Sequence, residues 1–251
     1  MKYFAVFVVV LMAVLLAVSW WWVGPIAQNT NDHLFADAVS KWGISNFWNV
    51  VSNLPFLGVG LMGLWSLYRR KLRVAADYRV FYWVFFTGVL MVGLGSSWYH
   101  LNPNNQSLVW DRLPMTVAFM AFFSVILAEH VNAKLGKRLL WPLVLFGLFS
   151  IVYWQYTESI GAGDLRLYGL VQFLPLLLVP VIFVVYPKKF THNHLLWWFL
   201  GMYVVAKLLE YFDEPIFTGL VVISGHSLKH LAAALGLYLY WRYLRLRVGI
   251  R

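Results

Sequence analysis

Cysteine is absent from this 251-residue chain, so no disulfide framework can hold it together. Charge is scarce as well. Only 12% of the residues are Asp, Glu, Lys or Arg, where an ordinary soluble domain carries roughly 25%. There is no soluble domain, low-complexity tract or convincing internal repeat. What the chain has in abundance is apolar surface, with 61% hydrophobic and 19% aromatic residues. These fall in runs of about 20 residues, the length a helix needs to cross a bilayer. That balance excludes a disordered chain and a soluble globular domain. Lipid offers no hydrogen bonds, so each span must satisfy its own backbone, which helices do. The expected fold is therefore an all-α polytopic transmembrane helix bundle. The net charge of +10 invites a nucleic-acid partner, but the basic residues sit in short clusters between apolar runs. That is the pattern of membrane topology, and no nucleic-acid partner is expected.

Eight spans are expected, at about 3–24, 44–68, 80–100, 106–128, 138–156, 165–186, 194–212 and 218–241. One set of connections carries Lys2, Arg69, Arg70, Lys71, Arg73, Arg79, Lys134, Lys137, Arg138, Lys188, Lys189, Arg242, Arg245, Arg247 and Arg251. The other carries only Lys41 and Arg166, beside Asp32, Asp37, Glu158, Asp164, Asp213 and Glu214. Fifteen positive charges against two orient both termini toward the cytoplasm, which requires an even number of spans. The first span, within residues 1–28, has the charge and apolar run of a signal peptide. Trp20, Trp21 and Trp22 follow at the position of an interfacial aromatic belt, so it is expected to remain as an N-terminal transmembrane helix. Residues 29–251 would form the remaining domain.

Polar groups within spans are costly and are functional candidates by default. The third span ends Gly93-Leu94-Gly95-Ser96-Ser97-Trp98-Tyr99-His100, with Ser96 and His100 four apart on one helix face. The next span opens Trp110-Asp111-Arg112-Leu113-Pro114-Met115. The last contains Gly225-His226-Ser227-Leu228-Lys229-His230, a second pair four apart whose imidazoles can bind one metal. Counting back about 20 residues from Arg242 puts His226 and His230 one to two turns below the non-cytoplasmic surface. His100 and Asp111 fall at the same depth. Three histidines with an open position make the ligand set of a catalytic zinc, which lowers the pKa of its water to about 7.

Each residue has a plainer reading. His100 alone fits a solvated or satisfied histidine, Ser96 a helix-packing residue, and Asp111 a charge at a helix N-terminus. Asn46, Asn49 and Asn53 share a helix face near Ser52 and fit interhelical hydrogen bonding or a supporting polar role. Lys207 and Glu210, three apart, fit an ion pair, and Lys229 points off the histidine face to snorkel or to line a cavity.

The segments FWNVVSNLPF (47–56), GLGSSWYH (93–100), DRLPM (111–115) and GHSLKHLAAALG (225–236) together resemble the alkaline ceramidase family. That family belongs to a superfamily of seven-span hydrolases that also includes adiponectin-type receptors. The resemblance covers roughly residues 32–245 and implies a seven-helix hydrolase core plus one extra N-terminal span. It implies an intramembrane zinc amidase that cleaves ceramides to a sphingoid base and a fatty acid. By position, His100, His226 and His230 look like zinc ligands, Asp111 like the proton shuttle, and Ser96 like the donor that steadies the oxyanion.

The family also carries an acidic calcium-binding stretch before its first helix. Here that region reads Asp32-His33-Leu34-Phe35-Ala36-Asp37, with Asn46 where the family has a glutamate. Asp32, Asp37 and Asn46 would make at most a weak calcium site, because affinity tracks ligand charge. The family's Asp-Glu-Leu-Pro-Met is Asp-Arg-Leu-Pro-Met here, and Lys229 replaces an aromatic residue. From charge alone, Arg112 and Lys229 could favour an anionic lipid headgroup. Three other readings stand beside a ceramidase: a hydrolase of another lipid ester or amide, a non-catalytic metal-containing receptor or sensor, and a transporter. The missing repeat weighs against the last. An integral protein of a bacterial inner membrane fits the topology.

Overall fold

The computed structural model describes residue 20 and residues 22–250. The expected N-terminal transmembrane helix lies almost wholly outside the described residues, as does Arg251. Among the described residues the regular structure is helical, apart from isolated bridges between Lys41 and Ile44 and between Phe190 and Gly249. The helices are α1 (Phe47–Val51), α2 (Leu54–Tyr68), α3 (Arg79–Leu101), α4 (Asn105–Ile126), α5 (Ala133–Ser159), α6 (Arg166–Val185), α7 (His194–Tyr211), α8 (Asp213–Leu220) and α9 (Gly225–Leu246).

Two elements differ from the sequence expectation. The span expected at 44–68 is broken at Ser52–Asn53. Pro55 has no N–H to give the carbonyl four residues back, at Val51, so the helical ladder is interrupted there. It still counts as one span, Phe47–Tyr68. The span expected at 218–241 does not start at 218. Residues Asp213–Leu220 form the short α8, bent 75° from α7. Val221 then takes a left-handed conformation (φ 63°), and Ser224 caps the start of α9 by accepting from Ser227 N. Five segments are long and apolar enough to cross a membrane: Phe47–Tyr68, Ala76–Leu101, Asn105–Val131, Ala133–Ser159 and Arg166–Val185. The bent α7–α8 pair makes a sixth if counted as one span. The last helix is 22 residues long, carries Lys229, Arg242 and Arg245, and packs on α7 and α2. These helices identify an integral membrane protein.

Capping sets the ends. Asn104 closes a capping box with Ser107 at the start of α4, and Asn132 accepts from Leu135 N at the start of α5. Between α4 and α5 the chain makes one π-helical turn, Leu127–Val131, that turns Glu129 and His130 inward. The core is aromatic: Phe85, Phe122, Phe199 and Tyr240 pack ring to ring at 5.1–5.3 Å. Outward faces are apolar too, with Leu61, Leu145, Val152, Leu177 and Val184 exposed.

The two ends of the bundle differ in charge. The basic connections after α2, before α7 and after α9 meet at one end. There Arg73 N donates to Leu244 O, Thr191 N to Val248 O, and Ile250 N to Lys189 O. One member of this basic set is not on the surface. Arg247, which the charge pattern places in an exposed tail, is 1% exposed and bonds Glu129 through both terminal nitrogens, at 2.6 and 2.7 Å. At the other end the N-terminal segment crosses the helix mouths. Leu165 N donates to Ile26 O, and Ala36 N donates to Asp213 Oδ2.

A candidate metal centre

His100 lies in the last turn of α3, while His226 and His230 share one face of α9's first two turns. The bundle brings them together, each buried, with one ring nitrogen from each within 4.8 Å of the others. Their ring centroids are 4.9–5.1 Å apart. Three nitrogens around a tetrahedral zinc would sit about 3.3 Å from one another, so a small contraction would close the site. Two features fit a metal. His100 Nδ1 and His226 Nε2 are buried without a hydrogen-bond partner. Buried polar atoms are ordinarily paired, so orphans on adjacent rings point to a missing shared partner. His230 is held at its other nitrogen. Ser52 Oγ lies 3.2 Å from Asn49 O and 2.8 Å from His230 Nδ1. A hydroxyl that donates to the carbonyl accepts from Nδ1–H, which would leave the Nε2 lone pair for an ion.

Local sequence explains the placement. A side chain at Gly95 would put its Cβ 1.9 Å from Trp110 O, so α3 and α4 approach closely only because Gly95 has none. That contact sets Asp111 against Ser96. At Gly225 a Cβ would lie 2.2 Å from Leu209 O, and this glycine lets the start of α9 close on α7.

Ser96, Asp111, His226 and His230 line one cavity of about 650 Å³. It runs down the helices in steps of three or four residues. On α3 the lining passes from Ser96 through Val92 and Val89 to Phe85. On α4 it passes from Asp111 through Met115 and Ala118 to Phe122, and on α9 from His226 through His230 and Ala233 to Leu237. The histidine end is polar and the far end apolar.

The other sequence candidates sort as follows. Asn49 joins three segments: its Nδ2 donates to Asp37 O (2.9 Å) and its Oδ1 accepts from Ser227 Oγ (2.7 Å). Asn53 Nδ2 donates to Asn49 O, and Asn46 Nδ2 donates to His100 O, each at 2.8 Å. These asparagines are structural ties, and Ser52 is the member that touches a histidine ring. The expected Lys207–Glu210 pair is present at 2.5 Å, and Lys229 joins it from α9, also at 2.5 Å. Lys229 lines the cavity. Arg112 lines it too, with its guanidinium over the rings of Trp154 (4.7 Å) and Tyr168 (4.8 Å). Asp32 and Asp37 are used locally. Asp32 accepts from Gln28 Nε2, and Asp37 Oδ1 accepts from Val39 N. Among the described residues these two carboxylates are not gathered into a three-ligand group.

Three contributors were not singled out from sequence. Phe35 covers the cluster, with its ring 4.6 Å from His226 and 4.7 Å from His100. His33 anchors that segment through Tyr99 Oη (2.9 Å) and Asn105 Oδ1 (2.8 Å). Asp213 accepts from His226 N at 2.6 Å. Only Asp213 carried a signal, as the first of two acids ahead of Pro215 at a helix start; the loop residues carried none.

Among curated proteins none matches the chain. A family model described as Ceramidase matches residues 38–248, which holds α1 to α9 and the three clustered histidines. With four-fifths of its length under that match and a buried histidine cluster that can hold a metal, the chain belongs to the ceramidase family.

Proposed function

We propose that the protein is a zinc-dependent amidase of the membrane that cleaves ceramide-like N-acyl lipids to a sphingoid base and a fatty acid. The carrying observation is the histidine cluster at the polar end of a cavity whose other end is apolar. His100, His226 and His230 would hold the ion, which when bound supplies a Lewis acid for the amide carbonyl and for water. Phe85, Val89, Ala118 and Phe122 offer the acyl chain an apolar channel about 16 Å deep, the rise of the 11 residues from Ser96 to Phe85.

The chain's own groups divide the remaining work. Ser96 Oγ–H donates to the amide oxygen as negative charge builds on it. Asp111 takes a proton from the attacking water and delivers it to the amide nitrogen, so the sphingoid base leaves as an amine. Glu210, held between Lys207 and Lys229, fixes α7 to α9 beside the histidines. The gathered basic connections lie at the end away from the histidines, which supports cytoplasmic termini and an active site near the non-cytoplasmic face.

The test is metal content and fatty-acid release in detergent. The wild type should hold about one zinc per chain, the open three-histidine stoichiometry, and H226A should lose it. D111N should keep the metal and lose turnover by about 10²–10⁴-fold. A folded wild type that takes up no zinc would sink the reading, and a loaded protein that releases no fatty acid from any N-acyl lipid would leave a metal-clamped sensor.

A further inference from the structure

The cavity's basic lining residues are Arg112, Lys207 and Lys229. They are not equivalent. Lys207 and Lys229 share the carboxylate of Glu210. Arg112 has no ion-pair partner among the described residues, and its Nη1 is buried without a hydrogen bond. The faces of Trp154 and Tyr168 hold the guanidinium plane but satisfy none of its N–H donors. Arg112 as a whole is half-buried, and a cationic donor such as its buried Nη1 is costly to leave unpaired unless something anionic completes it.

No carboxylate on the same cavity forms an ion pair with Arg112 among the described residues. Besides Glu210, Asp213 takes two backbone amides, Asp32 takes Gln28 and Asp111 is hydrogen-bonded with Ser96, while Glu214 lies on the exposed α8. Beside Arg112 the wall continues with Tyr168, Gln172 and Tyr203. Tyr203 Oη accepts from Gln172 Nε2 at 2.8 Å, which leaves the phenol proton free to donate into the cavity.

We propose that Arg112 is the receptor for an oxyanion on the headgroup of the substrate, so that the preferred lipid is an anionic N-acyl sphingoid rather than neutral ceramide. This rests on the amidase reading above. Its chemistry fits that reading: the sphingoid carbon that bears the headgroup is bonded to the carbon that bears the amide nitrogen. A headgroup anion therefore lies close to the leaving nitrogen. Arg112 directly follows Asp111, the residue assigned to that nitrogen. A planar guanidinium also matches a phosphate or sulfonate edge with two parallel hydrogen bonds. Lys229, the other headgroup candidate on charge, acts through Glu210 instead.

The experiment uses the full chain, zinc-loaded, in detergent. Two lipids with the same chains are compared, one with a free primary hydroxyl and one with a phosphate on it. Fatty-acid release gives kcat/KM, and the rise in Tm on adding each lipid gives binding without turnover. The anionic lipid should be favoured by about tenfold or more, through KM, as expected for a charged hydrogen bond. R112Q should remove that preference and R112K should restore part of it. Equal handling of the two lipids by the wild type, or the same preference in R112Q, overturns the proposal. Fatty acid alone is the third probe. If it gives the Arg112-dependent Tm shift and the headgroup phosphate does not, Arg112 holds the product carboxylate and the proposal falls. If no lipid is hydrolysed, a larger Tm shift with the anionic lipid, lost in R112Q, upholds the anion site while the amidase reading fails. Equal shifts in that case reject both.

Discussion

Ser52 shows how a single residue bears on the proposed metal site. Its hydroxyl lies 3.2 Å from Asn49 O and 2.8 Å from His230 Nδ1. It orients the imidazole of His230, so that Nε2 would be left free. S52A should weaken zinc binding by about 10–100-fold, the usual effect of losing an outer partner of a ligating histidine. Competition with a chelator reads this directly, and an unchanged affinity would remove Ser52 from the site. The sequence placed Ser52 in a polar stretch with Asn46, Asn49 and Asn53. It could not say which of the four touches a ligand, because helical spacing defines a face but not the partner opposite it. Phe35 was invisible for the same reason: a phenylalanine in a loop has no periodicity to read.

At the scale of elements, the α3–α4 contact places the two groups proposed for the chemistry. Ser96 and Asp111 come from different helices and face one cavity because Gly95 admits the α4 backbone. G95A should cost about 1–3 kcal/mol through overpacking. It should also lower turnover more than zinc content, since the histidines sit on α3 and α9 while the shift moves α4. Thermal unfolding and metal analysis on the same sample separate the two effects. The start of the last span is what the sequence misjudged. A continuous span from 218 onward was expected, whereas Asp213–Leu220 turns aside as α8. Asp213 at the start of that helix accepts from His226 N, so the break serves to place the first histidine of α9. Hydropathy averages over such a break and does not register a carboxylate used as a cap.

Across the whole molecule, the end opposite the histidines is closed by the buried pair of Arg247 and Glu129. Tyr82 Oη donates to Glu129 Oε1 at 2.7 Å, and Arg247 Nε donates to Arg73 O at 2.9 Å. The helix α3, the π-helical turn, the connection after α2 and the tail meet there. E129Q would leave Arg247 without its charge partner, and breaking a buried pair costs about 3–5 kcal/mol. A fall of several degrees in Tm, with zinc content unchanged below the transition, is the expected result. No change in Tm would mean that the pair adds nothing to stability.

The sequence by itself determined the membrane character and the helical class, and it picked out three histidines that the bundle gathers and the serine and aspartate that line the same cavity. Length and hydropathy of a run suffice to place a helix in lipid, and residues four apart must share a face. Charge counts separated the two ends of the bundle but could not tell Arg247, buried in a salt bridge, from its exposed neighbours. Only the tertiary structure decided that, and only it decided that Lys229 is neutralised by Glu210 while Arg112 is left open. Pairing depends on which helices approach and how closely. That approach is set by glycines and backbone breaks, whose effect appears only once the helices are packed.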